Sequence, residues 1–208
     1  MTSTAYHHGD LQNAIIGQAV TLARAGGTGA ITVREVARRV GVSHAAAYRH
    51  FPSRTGLLAS VATEAMDDLA STLQSAVARG GRPLNQMKRL ANSYVVWAWD
   101  QPGSFAVAFC EELWDKEPFP LLRAASDRAS RPVIQVSEAL LRVGPDDTRA
   151  RQLALAAWAQ VHGTAVLGLD RQLSQGALSL SDPRRESLAL QVELAVEALV
   201  SGWQGARA

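Results

Sequence analysis

Residues Thr32 to Phe51 read TVREVARRVGVSHAAAYRHF. The first half of this stretch sets Val33, Val36, Ala37 and Val40 at helical spacing behind Thr32, whose hydroxyl suits the N-cap. Gly41 follows where a left-handed backbone ends a helix, a conformation that glycine adopts without steric cost. Ser43 opens a second short helix, and Phe51-Pro52 closes it, because the residue before a proline is pushed out of the α region. Two short helices across a glycine turn, the second rich in small and hydrogen-bonding residues, have the layout of a helix-turn-helix. In that motif the second helix enters the major groove of DNA.

The individual residues fit the layout. Ala37 is small where the helices cross, and Val42 plugs the space between them. Ala45, Ala46 and Ala47 are expected to keep the outer side of the second helix thin, so that its backbone approaches the groove and a methyl touches a thymine. Around them stand groups suited to phosphate: the hydroxyls of Thr32, Ser43 and Tyr48, the imidazoles of His44 and His50, and the guanidinium of Arg54. The free N–H groups at the helix start add to this. The competing reading is two packed helices of an ordinary bundle, with Tyr48 and Phe51 both in a core.

Outward from this stretch, apolar residues recur three and four apart almost everywhere and alternating β-branched runs are lacking, so the chain is expected to be all-α. Asp10 is expected to cap a first helix ending at Gly26-Gly27. A helix over about 53–78 carries Leu57, Val61, Ala65, Leu69, Leu73 and Val77 at a spacing of four. Further helices are expected at about 84–100, 103–115, 119–143, 146–175 and 183–203, the last capped by Asp182 with Pro183 at its first position. The expected division is a helix-turn-helix domain over 1–56 and a larger antiparallel helical domain over 57–208.

Composition narrows the class. With 47% hydrophobic and 19% charged residues the chain is globular, not disordered. Net charge is only +2, but it is uneven. Among residues 1–60, Arg24, Arg34, Arg38, Arg39, Arg49 and Arg54 face only Asp10 and Glu35, while the remainder is mildly acidic. A basic end on an acidic body fits a polyanionic partner at that end. The longest apolar run, Leu153–Ala159, is far short of the roughly 20 residues of a membrane span, so no membrane partner is expected. No secretory signal is readable, and the single cysteine, Cys110, agrees with a reducing, cytoplasmic setting.

The segment GVSHAAAYRHFPSRTGLL resembles the TetR family of bacterial transcriptional regulators, with Gly41, Val42, Ser43, Tyr48, Phe51, Arg54 and Leu58 at that family's recurring positions. The resemblance covers about the first 60 residues. It implies that Tyr48, His50 and Arg54 hold the DNA backbone. The chain departs from the family where Ala45, Ala46 and Ala47 replace the common Gly, Thr and Leu, and where Arg54 replaces the usual Lys. With few long side chains on the second helix, specificity is expected to lean on Arg34, His44, Arg49 and DNA shape. The resemblance implies a transcriptional regulator; the leading expectation is a ligand-responsive repressor on a double-stranded operator, and a homodimer is expected because a helix-turn-helix reading a pseudo-palindromic site must place two recognition helices about 34–36 Å apart.

The body carries an aromatic cluster, Tyr94, Trp97, Trp99, Phe105, Phe109, Trp114 and Phe119, which could line an apolar cavity. Trp97, Phe105, Phe109, Cys110, Trp114, Trp158 and His162 are the candidates for lining an apolar ligand pocket, with Phe105 and Phe109 on one helix face and Cys110 and Trp114 on another. Plain core packing explains the same pattern. Trp158, His162 and Gly163 resemble a W-H-G feature of one subgroup of the family, whose large domain binds an inducer; this implies a small-molecule inducer without identifying it. Cys110, Glu111, Glu112 and His162 match no metal spacing, and no cofactor is expected. A thiol enzyme using Cys110 and His162 is the alternative from another class, although no orienting third group or oxyanion motif accompanies the pair. A constitutive DNA binder without inducer is the third reading. For the dimer, Leu188, Val192, Ala195 and Leu199 form a stripe, and Ala157, Thr164, Ala165 and Gly168 allow close helix approach.

Overall fold

The structure is a computed structural model and describes residues 8–170 and 185–205. Every regular element among them is helical: α1 (His8–Gly26), α2 (Val33–Val40), α3 (His44–His50), α4 (Arg54–Ala78), α5 (Pro83–Asp100), α6 (Pro102–Ala108), α7 (Pro120–Leu141), α8 (Thr148–Leu169) and α9 (Arg185–Gly205). Single 3-10 turns lie at Thr28–Ala30 and Glu111–Leu113. No helix among the described residues is long and apolar enough to cross a membrane.

Helix ends follow local chemistry. Thr32 Oγ1 accepts from the Glu35 N–H at 3.1 Å, and Ser43 Oγ accepts from Ala46 N–H at 3.1 Å, so both expected caps form. Gly41 sits at φ 80°. Its N–H and that of Val42 both bond to the Ala37 carbonyl, closing α2. Asp10, expected as a cap, instead lies inside α1, which begins two residues earlier. The Asp182-Pro183 cap and the end of the 146–175 helix lie outside the described residues.

One expected helix breaks. Over 103–115 the chain forms α6 only to Ala108, and Cys110 is extended at φ −72° and ψ 150° before the 3-10 turn. The break detaches Trp114 from the Cys110 face: Cys110 is buried, whereas Trp114 is 75% exposed.

Residues pack into two compact units, 1–66 with 101–126, and 67–100 with 127–208. The first therefore contains more than the 1–56 segment, because α6 packs on α1. Gly103 makes this approach possible: a Cβ there would lie 2.5 Å from the backbone nitrogen of Arg24 and 2.8 Å from the carbonyl carbon of Ala23. Ile15, Leu22, Ile31, Val36, Ala47, Phe51 and Leu57 form this unit's core. In the second unit α5, α8 and α9 pack together, burying Met87, Val95, Leu153, Val161, Leu188, Val192 and Val196.

Candidate nucleic-acid interface and body cluster

Spacing on α3 sorts its side chains. Ala47 and Phe51, four apart, turn inward and are buried, which corrects the expectation that Ala47 lies on the outer side. His44, Ala45, Tyr48 and Arg49 are exposed, and Ala46 and His50 are half-buried. Tyr48 keeps 48% of its surface exposed. On α2, Arg34 is exposed; Thr32 and Ser43 present their capping hydroxyls at the starts of α2 and α3. Among the described residues Arg34, His44, Tyr48 and Arg49 have no hydrogen-bond or ion-pair partner.

The other arginines differ. Arg38 donates from Nε and Nη2 to both Glu35 oxygens at 2.8 and 2.7 Å, and Arg39 Nε adds a third bond at 2.7 Å. These bonds, Arg38's first, pull the Glu35 carboxyl down to about 2. Arg38 and Arg39 thus share a fixed negative charge, which leaves Arg34 and Arg49 as the unpaired cations of α2 and α3. Arg54, expected on the DNA backbone, has its guanidinium bonded inside the protein, to the Ile31 and Thr28 carbonyls and to Glu112.

The aromatic candidates divide by unit. In the first, Phe105 is buried against Phe109, ring centroids 5.1 Å apart. Burial, with Glu112 beside it, pushes the Cys110 thiol up to about 11, so it is protonated at neutral pH and a poor nucleophile. In the second, Trp97 is buried and its indole N–H donates to Asp68 Oδ2 at 2.7 Å. Trp158 stacks on His162 at 5.1 Å, and His162 Nδ1 lies 2.8 Å from the Tyr94 hydroxyl. The indole of Trp158 also bonds to that hydroxyl; burial pushes the Tyr94 phenol far up and lowers the His162 imidazole, so both are neutral. Asp68, a polar member of this cluster, was not among the expected residues, and the pairing of Tyr94 with His162 was not foreseen. The signal was weak, since Trp97 and Asp68 stand 29 residues apart and Tyr94 and His162 68 apart.

A two-helix module with a thin exposed face and unpaired cations defines a helix-turn-helix protein of the DNA-binding kind. Residues 15–61 match the family model described as bacterial regulatory proteins, tetR family, and residues 87–195 match the tetracyclin repressor-like C-terminal domain. The second match spans more than half of the chain, and the chain belongs to the TetR family of DNA-binding transcriptional regulators. No functionally curated protein matches it. Solved structures share the fold. A Rhodococcus sp. RHA1 protein of unknown function is 24% identical over 96% of this chain and 98% of its own, with a TM-score of 0.76. A tetR-family regulatory protein from Rhodococcus RHA1 is 23% identical over 95% and 98%, at 0.65. A TetR family transcriptional regulator from Thermus thermophilus is 18% identical over 89% and 96%, at 0.62.

Proposed function

We propose that the chain is a ligand-responsive repressor that binds a pseudo-palindromic operator as a homodimer, with 1–56 as the reading head and 57–208 as the sensing and dimerising body. The observation that carries the DNA half is the outer face of α2 and α3, where Arg34, His44, Tyr48 and Arg49 are exposed without protein partners. Thr32, Ser43, Tyr48 and His50 serve the phosphates and set the register; Arg34, His44, Ala45, Ala46 and Arg49 face the base edges.

A dimer follows from the geometry of the target, since two recognition helices must enter major grooves about 34–36 Å apart. Of the stripe expected to join the subunits, Leu188 and Val192 are buried and Ala195 and Leu199 half-buried. Gly168 underlies Leu188, where a Cβ would lie 2.7 Å from that side chain. Exposed apolar residues remain on the same helices, Leu155 and Leu167 on α8 and Leu190 and Leu194 on α9, and they are the surface for the second copy. The inducer is a small molecule received by the aromatic cluster, where Trp97, Trp158 and His162 offer flat apolar faces with a few fixed polar groups. Repression is relieved if the inducer binds better to a state that grips DNA less well.

The test is selection of duplexes from a random pool by the purified protein, then footprinting beside its own gene. A twofold-symmetric site is expected, and Tyr48→Phe should weaken binding to all selected duplexes alike, while His44→Ala or Arg49→Ala changes which duplexes are preferred. Indifference to every duplex at low ionic strength defeats the proposal. If an inducer screen never shifts operator affinity, the sensing half alone fails.

A further inference from the structure

Arg54 is the first residue of α4, and its planar fork serves three acceptors at once. Nε donates to the Ile31 carbonyl at 2.8 Å, Nη2 to the Thr28 carbonyl at 2.7 Å, and Nη1 to Glu112 Oε1 at 2.9 Å. The two carbonyls belong to the strap that leads into α2, immediately before the Thr32 cap. Ile31 is wholly buried, so the strap is anchored on the core side by its side chain and on the other by Arg54. Glu112 is paired with Arg54, which holds its carboxyl below the usual range, and the buried Cys110 lies beside it. The helix break at Cys110 is what brings this carboxylate to the arginine. A lysine could not reproduce the arrangement, since an ammonium lacks the fixed fork directions.

We propose that Arg54 is a positioning residue for DNA recognition and not a phosphate ligand: with Glu112 it fixes the Thr28–Ile31 strap, and so sets how α2 and α3 are presented to the groove. The inference rests on the reading of α2 and α3 as the DNA-contacting helices. It gives Glu112, 58 residues away in sequence and on no DNA-facing helix, a part in operator affinity.

The two roles for Arg54 differ in salt dependence. Losing one phosphate contact lowers the slope of log affinity against log salt by about 0.9; losing a positioning residue weakens binding and leaves the slope unchanged. We therefore expect Arg54→Ala and Arg54→Lys to weaken binding to a selected duplex to a similar extent with wild-type slope. Glu112→Gln should weaken it about two- to fivefold, the range of a partly exposed ion pair, again with wild-type slope. Amide exchange over residues 28–33 should quicken in Glu112→Gln. The double variant Arg54→Lys with Glu112→Gln should bind no worse than Arg54→Lys alone.

Affinities are measured at a temperature where circular dichroism shows each variant folded; should Arg54→Ala not fold, Arg54→Lys and Glu112→Gln carry the test. Wild-type binding by Arg54→Lys, a reduced slope in Arg54→Ala, or unchanged or tighter binding by Glu112→Gln overturns the proposal. A wild-type protein that selects no duplex removes the DNA reading and this inference with it. A wild-type protein that binds while Glu112→Gln and Arg54→Lys bind equally well removes this inference alone.

Discussion

Gly103 is where the packing of α6 on α1 is most exactingly set, and replacing it with alanine measures that contact. The added Cβ would meet Arg24 N at 2.5 Å, Arg24 Cα at 2.7 Å and the Ala23 carbonyl carbon at 2.8 Å. All three are backbone atoms, which cannot rotate aside as a side-chain tip can. Ordinary carbon contacts lie near 3.5–4.0 Å, so the helices must part by about an ångström. Overpacking of this kind costs about 1–3 kcal/mol. Against it stands a gain of at most about 1 kcal/mol for alanine over glycine in a helix, reduced here because Gly103 is in the first turn of α6. The net expectation for Gly103→Ala is a loss of about 1–2 kcal/mol, combining those terms. At about 2–4 °C per kcal/mol for a chain this long, the thermal midpoint falls by roughly 2–8 °C. Gly17→Ala is the matched control in the same unit: it lies within α1, is exposed, and a Cβ there meets nothing within 4 Å. That variant should gain about 0.5–1 kcal/mol from helix propensity alone. The assay is urea unfolding followed by circular dichroism, with thermal scans alongside. If Gly103→Ala proves as stable as wild type, or the two variants shift the midpoint in the same direction, the close-approach argument is wrong.

Three further outcomes are expected. Leu190→Glu with Leu194→Glu should convert a dimer to a monomer in sedimentation without loss of helix signal, since both side chains are exposed in the single chain; a dimer that survives places the second copy elsewhere. Glu35 has its carboxyl lowered from 4.5 to about 2, so its pairing with Arg38 and Arg39 contributes stability that is present above about 4.5 and lost as pH falls toward 2. The difference in unfolding midpoint between wild type and Glu35→Gln should accordingly shrink across that window, and a constant difference contradicts the pairing. Tyr94→Phe removes the hydroxyl between the Trp158 indole and His162 Nδ1. It should cost about 0.5–1.5 kcal/mol in denaturant unfolding, the net worth of a hydrogen bond whose remaining partners keep access to water, Trp158 being exposed and His162 half-buried, and a neutral result means that the hydroxyl holds neither of them.

The helix ends within Thr32 to Phe51 could be read directly because the bonds that set them are local. Thr32 caps three residues on, Ser43 likewise, and Gly41 ends α2 through the carbonyl four residues before it. Propensity, capping and spacing act within one turn of helix, so order along the chain is enough. On α4 the spacing of four picked out the inner face: Leu57, Val61, Ala65, Leu69 and Leu73 are buried, and Val77, near the helix end, is half-buried. Spacing alone did not separate the inner from the outer face of so short a helix as α3, and Ala47 went to the core.

What lay beyond the sequence depends on partners far away in it. Leu188 with Val192 and Leu190 with Leu194 are both stripes of spacing four on α9, and only packing against α5 and α8 buries the first and leaves the second exposed. The break after α6 follows no glycine or proline; an extended Cys110 lets its thiol bury and carries Glu112 to Arg54. Local hydrogen bonds thus determine where the helices begin and end, whereas burial and charge pairing across tens of residues determine which face is left for a ligand, a partner or DNA.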